Sequence, residues 1–245
     1  MSPAQLILVP TPIADHLLLP PETFARLKQA SADESHLILV EEPKQSRRRW
    51  LNWGLERQVI DRFIYYNEQT CSELNLKLLE HLKQNKGDVY LISDGGLPAF
   101  CDPGQKLVNL CHLHQIRVSA CSFSHSVALA LALSGFKIES YFFMGFVQRK
   151  DPQRQEQLMQ LIQNPQCVVL MDTPYRLESL LKQMNQCEKQ QEMNWRYFLA
   201  TDLNKASEQC LRGSMEFILS QYKSGKKEFI LIKESNDSGA KKRPR

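Results

Sequence analysis

The chain has 245 residues, of which 42% are hydrophobic and 24% charged; this suits one large or two moderate globular domains and excludes a disordered or fibrous chain. Its longest apolar run, residues 127–136, falls well short of the ~20 residues a membrane helix needs, and no basic segment precedes the first apolar run, so neither a membrane span nor a signal peptide is expected. Net charge is +4, gathered in separate basic knots (Arg47-Arg48-Arg49, Arg149-Lys150, Lys226-Lys227 and Lys241-Lys242-Arg243) of the kind that suits phosphate backbones.

From the N-terminus, residues 6–9 read as a strand, 24–30 as a helix and 37–40 as a strand. Residues 63–66 form the next strand, followed by a helix over 73–84, a strand over 89–93, a helix over 105–114 and a strand over 117–120. Short aliphatic strands alternating with helices predict βαβ units and a parallel sheet. Right-handed crossovers then place the loops that follow the strands on one edge.

After Gly135 the texture changes. An edge strand is expected over 141–146, a charged helix over 152–163, a strand over 167–171 and a helix over 176–186. A strand over 195–200, a helix over 214–222 and a strand over 229–233 complete a mixed sheet. The organisation expected is an N-terminal α/β domain over 1–121, a C-terminal α/β domain over 122–233 with 122–126 as hinge loop, and a flexible basic tail over 234–245. Seven scattered cysteines with no CxxC pair argue against a disulfide framework or a zinc site and fit a reducing cytoplasm. The histidines show no ligand spacing, so no metal is expected.

Chemistry-capable residues concentrate after predicted strands: Pro10-Thr11-Pro12-Ile13, Glu41-Glu42-Pro43 with the arginine run, Asn67-Glu68, residues 94–98, and Asp172-Thr173-Pro174-Tyr175-Arg176. The richest stretch is 89–108, an apolar strand that stops at Ser93-Asp94, turns through Gly95-Gly96 and reaches a second corner at Asp102-Pro103-Gly104. A strand ending in glycines ahead of a helix is how open α/β sheets make ligand crevices. This turn is too long and too rich in proline for a dinucleotide fingerprint. Asp102 reads as a turn or N-cap residue for the helix starting at Gln105.

The order of these segments resembles the tetrapyrrole (corrin/porphyrin) methylase superfamily of S-adenosylmethionine-dependent methyltransferases, and within it the bacterial small-subunit ribosomal RNA ribose 2'-O-methyltransferase branch. The branch's TPIGN turn is matched at residues 11–15, its AEDTR loop at 40–44, its YHEHN segment at 66–70, and its SDAGTP…SDPG loop at 93–98 and 101–104. GF…PRK corresponds to 145–150, ESPHRL to 172–177, ARELTK to 200–205, and the closing RG…E and GE-strand elements to Arg212-Gly213, Glu216 and 227–232. Each match is weak alone, but eight in order across nearly the whole chain are specific.

The resemblance implies two α/β domains with S-adenosyl-L-methionine in the cleft between them, a homodimer, and RNA of the small ribosomal subunit as partner. Cofactor contacts are then expected at Pro12, Asp94, Gly95, Gly96, Leu97, Pro98, Ser124, Ser126, Met171 and Ala200. A ribose hydroxyl is a poor nucleophile until its proton leaves, which calls for a positioned base; Glu42 and Glu68 are the carboxylates expected, with Glu41 and Asp94 behind them. Substrate phosphates are assigned to Arg47, Arg48, Arg149, Lys150 and Arg176, with Arg49 in the same run, and Tyr65, Tyr66 and Phe100 are aromatics able to stack a base. The chain departs from the family where PGPSAA is replaced by residues 121–128, where the YHEHN histidines become Asn67 and Gln69, and where Glu42-Pro43-Lys44 replaces the acidic-Thr-Arg triplet. The alternatives are a small-molecule, tetrapyrrole-type methylase of the same fold, or a catalytically divergent paralogue that binds cofactor or RNA.

Overall fold

Two LILV segments and one VYLI segment form the middle of the first sheet. In chain order its strands are β1 (Leu6–Val9), β2 (Leu37–Val40), β3 (Ile64–Tyr65), β4 (Val89–Ile92) and β5 (Val118–Ala120), arranged β3-β2-β4-β1-β5 with every pairing parallel. Continuous apolar strands are what a sheet covered on both faces requires. Ile7, Val9, Ile38, Val40, Tyr90 and Ile92 point to one face, where they meet Leu27 of α1 (Pro21–Ser31) and Trp50 of α2 (Pro43–Asn52). Leu6, Leu39, Val89 and Leu91 point to the other, against Leu78 and Leu82 of α3 (Cys71–Lys83) and Leu107 and Cys111 of α4 (Gln105–Leu113). The computed structural model describes residues 3–14, 16–123 and 125–235, and the chain divides into two compact units, Met1–His125 and Ser126–Arg245.

Helix α2 was not anticipated, because its arginine run masks the period. Ser46, Arg49, Trp50 and Trp53 nevertheless recur at i, i+3, i+4 and i+7, and all four are buried. Pro43 occupies the first helical turn, and the Glu42 side chain accepts the Gln45 backbone N–H at 2.6 Å as N-cap.

The second unit begins with α5 (Ser126–Ser134), so the first turn of a helix stands where the end of the hinge loop was expected. Its sheet has the order β6-β7-β10-β8-β9, from β6 (Tyr141–Phe146), β7 (Cys167–Met171), β8 (Tyr197–Thr201), β9 (Gln209–Gly213) and β10 (Phe229–Lys233). Only β6 and β7 run parallel; the other pairs are antiparallel. One face, including Val168, Leu170, Leu199 and Leu231, packs on α6 (Gln153–Gln163), α7 (Leu177–Gln190) and α8 (Met215–Gln221) through Leu158, Leu161, Leu181, Met184 and Ile218. Strand β9 escaped sequence reading because QCLRG has one large aliphatic residue and lies on an edge. Trp195, expected to open a strand, lies just before β8, its indole donating to the Ile162 carbonyl and its backbone N–H to Glu188. Among the described residues no helix is long and apolar enough to cross a membrane. Ser124 and residues 236–245, assigned above to the cofactor site and the basic tail, lie outside the described residues.

Candidate functional site

In the first unit β1 and β4 are neighbours, yet α1 leaves β1 toward one face and α4 leaves β4 toward the other. Strands with this relation open a crevice at their carboxyl ends, where ligands of open α/β sheets bind. Here the two loops that leave those ends are locked together. Thr11 and Gly96 exchange backbone hydrogen bonds at 2.9 and 3.1 Å, the Thr11 hydroxyl donates to the Ser93 carbonyl, and the Ser93 hydroxyl donates to the Gly96 carbonyl. From α2, the Arg49 guanidinium reaches across to the Thr11 hydroxyl and the Pro12 carbonyl, each at 3.1 Å. Arg49 is therefore a buried strut, whereas Arg47 and Arg48 of the same run are exposed.

The glycines have different tasks. Gly104 has φ +129°, and a Cβ there would stand 2.6 Å from the Leu91 side chain, so the entry to α4 admits only glycine. At Gly96 an added Cβ meets nothing within 4 Å, and at Gly95 only the Arg49 guanidinium at 3.9 Å. These two present bare backbone to open space, flanked by half-buried Leu97 and buried Pro98. The neighbouring segment is strained, with Ala99 and Cys101 both at positive φ. Phe100 meets the His125 ring edge-on at 4.9 Å, so Phe100 is already in ring contact, and burial holds the His125 imidazole below its ordinary range.

The carboxylates of this edge lie in different surroundings. Glu42 is the α2 cap, and Glu68 is exposed in the loop after β3. Glu41 is the group the fold perturbs: burial, then the charges of Asp102 and Asp94, push its carboxyl from 4.5 up to about 7. Asp94 is raised mainly by burial, although it accepts the Ser46 hydroxyl at 3.1 Å and the Glu42 N–H at 3.4 Å. Asp102 is not a helix cap; Gly104 takes that position without a side-chain bond, and burial and Asp94 push Asp102 up to about 6. A signal for Glu41 was present in the strand. Leu37, Leu39 and Glu41 share one side of the pleat and Ile38, Val40 and Glu42 the other, which sends Glu41 toward the α4 side and Glu42 toward α2. Tyr66 is buried with its hydroxyl on Asn75, so it belongs to the core, whereas Tyr65 is 39% exposed. Asn67 closes the loop by accepting the backbone N–H groups of Gln69 and Thr70.

In the second unit Met171, Ile230 and Ala200 stand side by side across three strands. Ser126 is the first residue of α5. Arg149 and Lys150 are exposed after β6. Arg176 is committed elsewhere: it pairs with the buried Asp172, which also binds Arg154 at 3.0 Å. Among the described residues no group of acidic, histidine or cysteine side chains could hold a metal ion.

No protein-family model matches the chain. Several curated relatives carry one name. The Ribosomal RNA small subunit methyltransferase I of Halalkalibacterium halodurans is 27% identical over 94% of this chain and 76% of its own. The protein of that name from Thermotoga maritima is 27% identical over 91% and 93%, and that from Bacillus subtilis 25% over 95% and 76%. Among solved structures, a diphthine synthase superposes with a TM-score of 0.62 at 8% identity, covering 95% of this chain and 90% of its own. The uroporphyrin-III C-methyl transferase of Thermus thermophilus, solved with S-adenosylhomocysteine, gives 0.55 at 15% over 94% and 97%. A cobalt precorrin-4 methyltransferase gives 0.57 at 12% over 94% of each. The chain has the fold of the tetrapyrrole methylases.

Proposed function

We propose that this protein is an S-adenosyl-L-methionine-dependent methyltransferase that acts on RNA of the small ribosomal subunit, with a ribose 2'-oxygen as acceptor. The observation that carries the reading is the match, over more than nine-tenths of the chain, to relatives named Ribosomal RNA small subunit methyltransferase I. The crevice between the β1 and β4 loops fits the cofactor: bare backbone at Gly95 and Gly96 borders space that a Cβ would fill, and carboxylates flank it. Pro12, Asp94, Gly95, Gly96, Leu97 and Pro98 of the first unit would hold it. Bound there, the cofactor supplies a methyl group on a sulfonium that its own charge activates.

The protein's remaining work is positioning, which accounts for up to ~7–11 kcal/mol of barrier when the geometry is right. The Arg49 strut and the Thr11–Gly96 bridge hold the two loops rigid for that purpose. Glu41 is the best-suited base for the hydroxyl proton, since a carboxyl raised to about 7 is half ionised near neutral pH and takes up a proton readily. Arg47, Arg48, Arg149 and Lys150 are exposed and able to meet phosphates. Seven free cysteines support a reducing, cytoplasmic setting. A homodimer is part of the reading, and sedimentation of the purified chain tests it.

Two measurements test the function. Calorimetry with S-adenosylhomocysteine is expected to give saturable binding, and absence of heat at any concentration sinks the cofactor assignment. Mass mapping of small-subunit RNA from a deletion strain and its parent is expected to show one methyl group missing; identical maps rule out this substrate.

A further inference from the structure

At the carboxyl ends of β6 and β7, the second unit carries a surface that the reaction chemistry does not require. Its foundation is a buried cluster with more positive than negative charge. Asp172, with no exposed side-chain area, lies between Arg154 at 5% and Arg176 at 23%. Both guanidiniums also donate to the Gln148 carbonyl, Arg154 at 3.0 Å and Arg176 at 3.4 Å, and Arg154 donates to Gln183 at 2.8 Å. Arg154 Nη2 is buried with no acceptor among the described residues. One carboxylate thus serves two permanent cations, leaving a net positive charge where water cannot fully screen it.

Above this base the Gln148 tether presents Arg149 and Lys150, both exposed and in no ion pair among the described residues. A 3-10 turn at Pro174–Arg176 holds up Tyr175, whose exposure of 73% is the highest of any large apolar or aromatic side chain among the described residues. Lys226 lies over one face of that ring, 4.5 Å from its centre. Residues 148–154 and 172–176 together bring four cations against Asp151 and Asp172, and Lys226 adds a fifth. A solvated aromatic ring beside unpaired cations is the combination that single-stranded nucleic acids exploit, with bases stacking and phosphates meeting charge. An acidic peptide would use the cations but have no use for the ring.

We propose that Arg149, Lys150, Tyr175 and Lys226, standing over the Arg154–Asp172–Arg176 cluster, form a docking surface for single-stranded RNA, with a base stacked on Tyr175 and adjacent phosphates held by Arg149, Lys150 and Lys226. This rests on the RNA reading above and adds where the strand is gripped. The stacked base need not be the methylated one.

The test uses the full chain, a short fluorescent single-stranded RNA of mixed sequence, and an acidic peptide as the competing probe. Tyr175→Ala is expected to weaken RNA binding about tenfold, and Tyr175→Phe, which keeps the ring, to bind as the unmodified protein does. Arg149→Ala with Lys150→Ala is expected to flatten the plot of log affinity against log salt by about 1.4, two single-strand phosphate contacts. All three positions are exposed, and S-adenosylhomocysteine calorimetry reports that each variant is folded. RNA affinity unchanged by Tyr175→Ala, or lost equally in Tyr175→Phe, overturns the stacking platform. If the variants methylate ribosomal RNA and bind RNA as the unmodified protein does, only this surface falls. Binding of the acidic peptide but not RNA by the unmodified protein overturns both this inference and the RNA reading.

Discussion

Replacing Glu41 by glutamine isolates the carboxyl group that the fold perturbs most at the candidate site. Burial and the charges of Asp102 and Asp94 push it from 4.5 to about 7. At about 1.36 kcal/mol per unit, a rise of roughly 2.5 units sets a ceiling near 3.4 kcal/mol on the cost of ionising it in the folded chain. Glu41 is only half-buried, so solvent screening reduces this to about 1–2 kcal/mol. Between 4.5 and about 7 the folded chain holds a proton that the unfolded chain has lost, so stability falls as pH rises through that window, and the whole penalty is present above 7. Glu41→Gln abolishes the ionisation. Relative to the unmodified protein it is therefore expected to gain about 1–2 kcal/mol more at about pH 8 than at about pH 5. Urea unfolding followed by the fluorescence of Trp50 and Trp53, both buried in the first unit, reads this difference. The same variant is expected to lose methyl transfer. A stability difference independent of pH would refute the electrostatic argument, and full turnover would remove Glu41 as the base.

With Glu41 intact, turnover is expected to rise with pH through about 7 and level off above it; a flat profile would place the base elsewhere. Arg49→Met removes both bonds that tie α2 to the β1 loop and is expected to cost about 2–3 kcal/mol and weaken S-adenosylhomocysteine binding, whereas Arg47→Ala stays within ~0.5 kcal/mol of the unmodified protein. Gly104→Ala places a Cβ 2.6 Å from Leu91 at a φ of +129°, so a loss of about 2–3 kcal/mol in urea midpoint analysis is expected. Asp172→Asn leaves Arg154 and Arg176 without their shared counter-charge and is expected to destabilise the second unit by about 3–5 kcal/mol, read from Trp195 fluorescence.

Much of the architecture was legible because the strands announce themselves locally. LILV, LILV and VYLI could bury both faces only in a covered parallel sheet, and the helices between them follow from their 3.6-residue period. Helix α2 was obscured because Arg49 occupies a core-facing position, where its charge reads as solvent-facing until Thr11 and the Pro12 carbonyl are brought to it. Strand β9 was missed for the opposite reason: on an edge it owes its state to its partner β8, and QCLRG has little propensity of its own. At the site, the glycine corner was visible as a motif, but the sorting of Glu41, Glu42 and Glu68 was not. Neighbours in sequence acquired different tasks once the pleat turned Glu42 toward the α2 amides and Glu41 toward Asp102. Arg176 likewise read as a free cation, and Asp172 claimed it.

By itself the sequence determined the alternation of strands and helices, the loops at the strand ends and the fold, because these depend on local periodicity and on motif order along the chain. Only the tertiary structure decided which charges are spent. Glu42 caps, Arg49 braces, Arg176 is paired, Glu41 carries the shifted carboxyl, and Tyr175 stands exposed among cations. The physical reason is that charge and hydrogen-bond energies depend on separation and burial, and both are set by segments distant in sequence. The corner at Ser93 to Gly104 took its locked geometry only when β1 folded beside β4 and Thr11 closed on Gly96.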